Sequence, residues 1–142
     1  MSSDAQALSE LVDAAYRHYV DRIGVLPGPM TLDYAEVIAT RQTTVAEIFG
    51  VPVGVLVVSG SSGQFVIENV AVHPAHRGTG LGRALFDLAE AQAGRAGFDV
   101  VHLFTHEQMT ENLANYTKRG YREDERRSQG TFDLVFMSKR LH

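Results

Sequence analysis

The stretch VAVHPAHRGTGLG, from Val70 to Gly82, constrains this chain more than any other because it carries three backbone instructions in succession. Val70, Ala71 and Val72 close an apolar run that opens at Phe65 and suits a buried strand. Pro74 has no N–H to give to a ladder, so the strand stops before it. Leu81, Leu85 and Leu88 then recur at helical spacing and begin an apolar helix face. Between strand and helix lie Gly78, Gly80 and Gly82, positions without a Cβ, so that backbone can approach another group closely.

Around this unit the pattern predicts the remaining elements. Leu8, Leu11, Val12, Ala15, Tyr19 and Ile23 make an amphipathic helix from Ala5 to about Arg22, which Gly24 and Pro27 end. Thr31 caps a second short helix with Leu32, Ala35 and Ile38 inward, after a Gly- and Pro-rich linker that is a candidate substrate-facing loop. Thr44–Phe49 and Val53–Val58 read as strands joined by a tight turn at Gly50 and Pro52, with a second turn over Ser59–Gly63. Phe65–Val72 is the central strand, and a helix from about Leu81 to Gly94 leads to a strand over Val100–Thr105, which lies parallel to it. A helix over Glu111–Arg119 and an antiparallel pair, Tyr121–Glu123 with Phe132–Ser138, complete the chain. The fold class is α/β, a mixed sheet flanked by helices, in a single domain over residues 1–142.

The first N–H groups of a helix have no intrahelical partner and stand at the positive end of its dipole, so the loop before Leu81 is suited to phosphate oxygens. Arg77, Gly80 and Gly82 fill the pattern Q/R-x-x-G-x-G/A, and Tyr116, Gly120 and Tyr121 fill aromatic-x-x-x-Gly-aromatic at a helix end. On these motifs, their order and the stretches Arg22–Met30 and MTENLANY, the chain resembles the GNAT superfamily of N-acetyltransferases over nearly its whole length. The order of elements matches that fold except for the family's first strand, which has no counterpart before Ala5.

The resemblance implies acetyl-CoA as the acyl donor. It places the pyrophosphate on Arg77, Gly78, Thr79, Gly80, Leu81 and Gly82, and the pantetheine arm along the main chain of Val70, Ala71 and Val72. It also implies that this strand splays from its parallel neighbour and leaves an N–H near Val72 for the thioester carbonyl. Arg83, just past the loop, pairs with a phosphate or is a surface arginine; His76 assists binding or is a solvated loop residue. Asn112 meets the cofactor from the face it shares with Tyr116, because the family's asparagine position holds Met109 here.

Tyr116 is the candidate general acid, since a phenol with a pKa of about 10 stays protonated at neutral pH and can donate to a departing thiolate. Glu68 is the first candidate base: a carboxylate on an otherwise apolar strand is at an edge, solvated or functional. His106 and Glu107, beyond the next strand, are the second candidates. Tyr16, Tyr19 and Tyr34 either line an acceptor pocket or belong to the core.

Composition narrows the rest. Cysteine is absent, so disulfides, thiolate metal sites and a cysteine nucleophile are excluded. The six histidines show no convincing three-ligand spacing, so no metal is expected. A formal charge of −4 argues against nucleic acid and favours a cationic acceptor. No membrane span or signal peptide is visible, so a cytoplasmic location is expected. The expected activity is acetyl transfer to a small-molecule or protein amine by direct attack in a ternary complex, and a homodimer is compatible with the sequence. The alternative is a catalytically silent acyl-CoA sensor of the same fold. A dinucleotide-binding domain fits poorly, because GTGLG alternates its glycines where that fingerprint needs G-x-G-x-x-G.

Overall fold

The computed structural model describes residues 2–23, 42–60, 63–129 and 132–141. Along the chain come α1 (Ser2–Ile23), β1 (Gln42–Ile48), β2 (Val51–Ser59), β3 (Phe65–Val72), a 3-10 turn (Pro74–His76), α2 (Leu81–Arg95), β4 (Val100–His106), α3 (Thr110–Arg119), β5 (Arg122–Gln129) and β6 (Phe132–Arg140). The strands form one sheet in the order β1-β2-β3-β4-β6-β5. β3 and β4 are parallel and joined by the α2 crossover, and the other neighbours are antiparallel. The predicted helix from Thr31, with Leu32, Tyr34, Ala35 and Ile38, and the linker before it lie outside the described residues.

Each face of the sheet buries its own core. On one face Leu8, Leu11, Val12, Ala15 and Tyr16 of α1 pack on Val55, Val57 and Ala71. On the other, Leu85, Ala89 and Ala93 of α2 pack on Leu56, Val58, Phe65, Ile67, Val101 and Leu103. These helical positions recur every three or four residues, while the strand positions alternate, so one sequence supplies both faces. Burial of each such Leu or Val contributes roughly 1.5–3 kcal/mol, more than helix propensity offers.

Several boundaries differ from those expected. The β1–β2 turn is Phe49–Gly50, both with positive φ (52° and 78°), the two-residue geometry that matches strand twist. Pro52 therefore lies inside β2, opposite Glu47 at a register break, where a lost ladder donor is tolerated. β5 runs from Arg122 to Gln129 rather than over Tyr121–Glu123. Its sequence, REDERRSQ, has no apolar alternation to signal a strand; pairing with β6 imposes it on a charged sheet edge.

The feature that opens the sheet is a bulge in β3. Val57 pairs with Asn69 and Val58 with Ile67, which leaves Glu68 as the extra residue. A one-residue slip turns every later side chain to the opposite face. Phe65 and Ile67 accordingly face α2, whereas Ala71 faces α1. β3 pairs with β4 only over Phe65–Ile67, so beyond the bulge the two parallel strands part. His73 N bonds to Val53 O at 2.8 Å, which directs the odd-numbered amides of this stretch toward β2. Val70 and Val72 therefore turn their N–H and C=O groups into the gap.

Candidate active site

The gap leads to the start of α2, and a glycine in β2 sets that helix in place. A Cβ on Gly54 would stand 3.0 Å from Leu81 Cδ2 and 3.3 Å from Leu85 Cδ1. Without one, the first turn of α2 docks beside Val72, the ladder partner of Gly54. Gly80 caps α2 with φ of 89°, no side chain caps the helix, and its first turn has no acidic residue. The amides of Leu81, Gly82 and Arg83 thus have neither an intrahelical acceptor nor a side-chain cap. The loop before them is tied down: Thr79 Oγ1 donates to His76 O at 2.6 Å, and Arg77 Nη2 donates to Ala15 O at 2.7 Å. The Arg77 side chain acts as a strut to α1.

A cleft of about 680 Å³ begins at this loop. Of the residues expected from the sequence, Val70, Ala71, Val72, Arg77, Gly78, Gly82, Arg83, Asn112 and Tyr116 line it, and so does His76. Ala15 and Tyr16 line it from the α1 face and Phe86 from the α2 face, so the cleft runs through the sheet where β3 and β4 part. Thr79, Gly80 and Leu81 shape the loop and helix start without being among the lining residues. Glu68 stays at the bulge, partly buried and outside the lining. His106 is buried, with Nδ1 accepting from Gln108 N at 3.0 Å, and Glu107 lies 3.6 Å from Arg126; neither lines the cleft.

On the α3 side Tyr116 packs between aromatic rings, with Phe86 at 5.5 Å and Tyr121 at 6.3 Å between centroids. Burial pushes its phenol up to about 12, so it stays protonated across the whole neutral range. α3 ends at Gly120, and Tyr121 N returns to Tyr116 O at 2.9 Å, which fixes the turn between the two tyrosines. Asn112 Nδ2 donates to Met109 Sδ at 3.6 Å, and Thr105 Oγ1 donates to the same sulfur at 3.3 Å. Met109 is thus a buried post between β4 and α3.

Glu90 holds this end together. Its carboxylate accepts from Arg119 Nε at 2.9 Å, Lys139 Nζ at 2.9 Å and Tyr121 OH at 3.1 Å. Burial alone would raise its pKa, but these three donors and the charge of Arg119 outweigh burial and hold it below the usual carboxylate range. Arg119 also pairs with Asp87 and lies over the Phe86 ring at 5.2 Å. Sequence reasoning passed over Gly54, Phe86 and Glu90. Gly54 carried a signal, since a glycine inside a strand pattern often marks a close approach.

The family profile described as the acetyltransferase (GNAT) domain matches residues 39–123. The chain belongs to the GNAT acetyltransferase family. Among solved structures it is similar to PaiA N-acetyltransferase from Thermoplasma acidophilum in complex with coenzyme A: 15% identity, 97% of this chain and 93% of that one, TM-score 0.76. It is similar to YncA from Salmonella typhimurium with acetyl-CoA, at 23% identity over 100% of this chain and 91% of that one, TM-score 0.70. The ribosomal-protein-S18-alanine N-acetyltransferase from Escherichia coli superposes with TM-score 0.74 at 14% identity, over 99% of this chain and 90% of that one. Among curated proteins none matches the chain in sequence. Among the described residues no helix is long and apolar enough to cross a membrane, and no three His, Asp or Glu side chains are grouped to hold a metal.

Proposed function

We propose that the chain transfers an acetyl group from acetyl-CoA to a primary amine by direct attack in a ternary complex. The observation that carries this reading is continuity: one cleft joins the uncapped start of α2, the edge of β3 where it parts from β4, and Tyr116. The pyrophosphate rests on the amides at Gly78–Arg83, and the pantetheine arm adds to the N–H and C=O groups of Val70 and Val72 as a further strand would. Family members with coenzyme A or acetyl-CoA bound support this assignment.

In the reaction the amine nitrogen bonds to the thioester carbonyl carbon, the C–S bond breaks, one proton leaves the amine and one reaches sulfur. The Val70 N–H, which faces the gap where the arm ends past Val72, donates to the carbonyl oxygen as negative charge develops there. Tyr116 donates to the leaving sulfur. Glu68, which lies at the bulge outside the cleft lining, is the base that takes the amine proton, directly or through a water.

The test has two parts: calorimetry with acetyl-CoA, then thiol release against a panel of polyamines, amino-acid amides and N-terminal peptides. Binding with amine-dependent thiol release is expected. Absence of acetyl-CoA binding contradicts the reading, and binding without release by any amine favours the sensor. With an accepted amine, Glu68→Gln is expected to lose turnover at neutral pH and regain part of it at higher pH, where more amine is neutral; an unchanged profile removes Glu68 as base.

A further inference from the structure

We propose that Tyr16 is the wall that restricts the acyl group to a short chain; this rests on the acyl-CoA reading above. Tyr16 is 7% exposed, and its hydroxyl donates to Asn69 Oδ1 at 2.9 Å and lies 3.3 Å from Val70 O. Asn69 is itself only 4% exposed. The bulge at Glu68 turns Asn69 to the α1 face, where the Tyr16 hydroxyl meets it.

The body of the ring is packed in the α1 core with Ala71 and Met109. Tyr16 is therefore held at its tip by polar contacts and along its side by apolar ones. An arm that runs from the α2 start past Val72 delivers its acyl group at Val70, where the Tyr16 hydroxyl stands. An acetyl group ends there. Each further methylene has to displace a buried, doubly held ring, and a close-packed interior resists such insertion.

The experiment compares CoA, acetyl-CoA and butyryl-CoA by calorimetry on the wild type, Tyr16→Ala and Tyr16→Leu. The wild type is expected to bind butyryl-CoA at least about tenfold more weakly than acetyl-CoA, the scale of added methylenes in a fitted pocket. Tyr16→Ala brings the two affinities together, each read as a ratio to the affinity of the same protein for CoA. Tyr16→Leu keeps an apolar body in the core and carries the test if the alanine variant does not fold. Equal affinities for the two thioesters in the wild type, or an unchanged ratio in the folded variants, overturn the proposal and leave the acyl-CoA reading intact. A wild type that binds no CoA overturns both.

Discussion

At the start of α2 the cleft is walled by main chain, the amides that follow Gly80, whereas at α3 it is walled by side chains, Tyr116 with Phe86 beside it and Glu90 behind. The main-chain end depends on backbone conformation and on the space in front of it. The side-chain end depends on a hydroxyl whose position is held by rings and on a carboxylate bonded from α3, Tyr121 and β6. Binding should therefore fail when the first end is altered, and turnover or acid stability when the second is.

The largest effect expected is on turnover. Tyr116→Phe should retain acetyl-CoA affinity and lower kcat by about two to four powers of ten, since the ring packing survives and only the donor is lost. In the wild type, the phenol pushed up to about 12 should put the alkaline loss of this donor near that value rather than at about 10. Rate measurements on both proteins check this, and an unaffected kcat would make Tyr116 a packing residue.

Next is Gly80→Asp, expected to weaken acetyl-CoA binding by about a hundredfold or more by placing a carboxylate among the phosphate-binding amides. Gly80→Ala is the matched control: φ of 89° strains any side chain there, while nothing lies within 4 Å of an added Cβ. The difference between the two variants in calorimetry isolates the charge.

Glu90→Gln should cost about 2 kcal/mol of stability, with CoA binding kept. Because the folded carboxyl titrates below its ordinary range, its contribution is complete above the unfolded value of 4.5 and is lost as pH falls through the folded one. Denaturation midpoints across the acid range should thus converge for wild type and variant. Parallel curves would show that the carboxylate charge contributes nothing.

The smallest effect sharpens the comparison most. An added Cβ on Gly82 would meet only Val72 Cγ2, at an ordinary 3.8 Å, so Gly82→Ala should fold and gain about 0.5–1 kcal/mol in the helix. If the ligand approaches this backbone closely, the same variant binds CoA about tenfold more weakly. Equal affinity would move the phosphate site away from Gly82.

The two ends also differ in how far the sequence discloses them. The loop was legible from residue types, because Pro74, the glycines and the leucine spacing each act locally. Tyr116 was legible only through a motif resemblance. The bulge at Glu68 was hidden, since it is a property of pairing with Val57 and Val58 rather than of β3 alone. Glu90 was hidden for the same kind of reason: its partners Arg119 and Lys139 lie 29 and 49 residues away. Tyr16 read as a core residue or a pocket residue, and it is both, because Asn69, 53 residues on, is turned toward it.

The central claim is that the arm of acetyl-CoA adds to the free edge of β3, and amide hydrogen exchange with and without CoA tests it residue by residue. Slower exchange is predicted at Val70 and Val72, which face the gap, and at Leu81–Arg83, with Ala71 and Phe65–Ile67 unchanged because their partners are already in the sheet. Unaltered exchange at Val70 and Val72 in protein saturated with CoA would contradict the account.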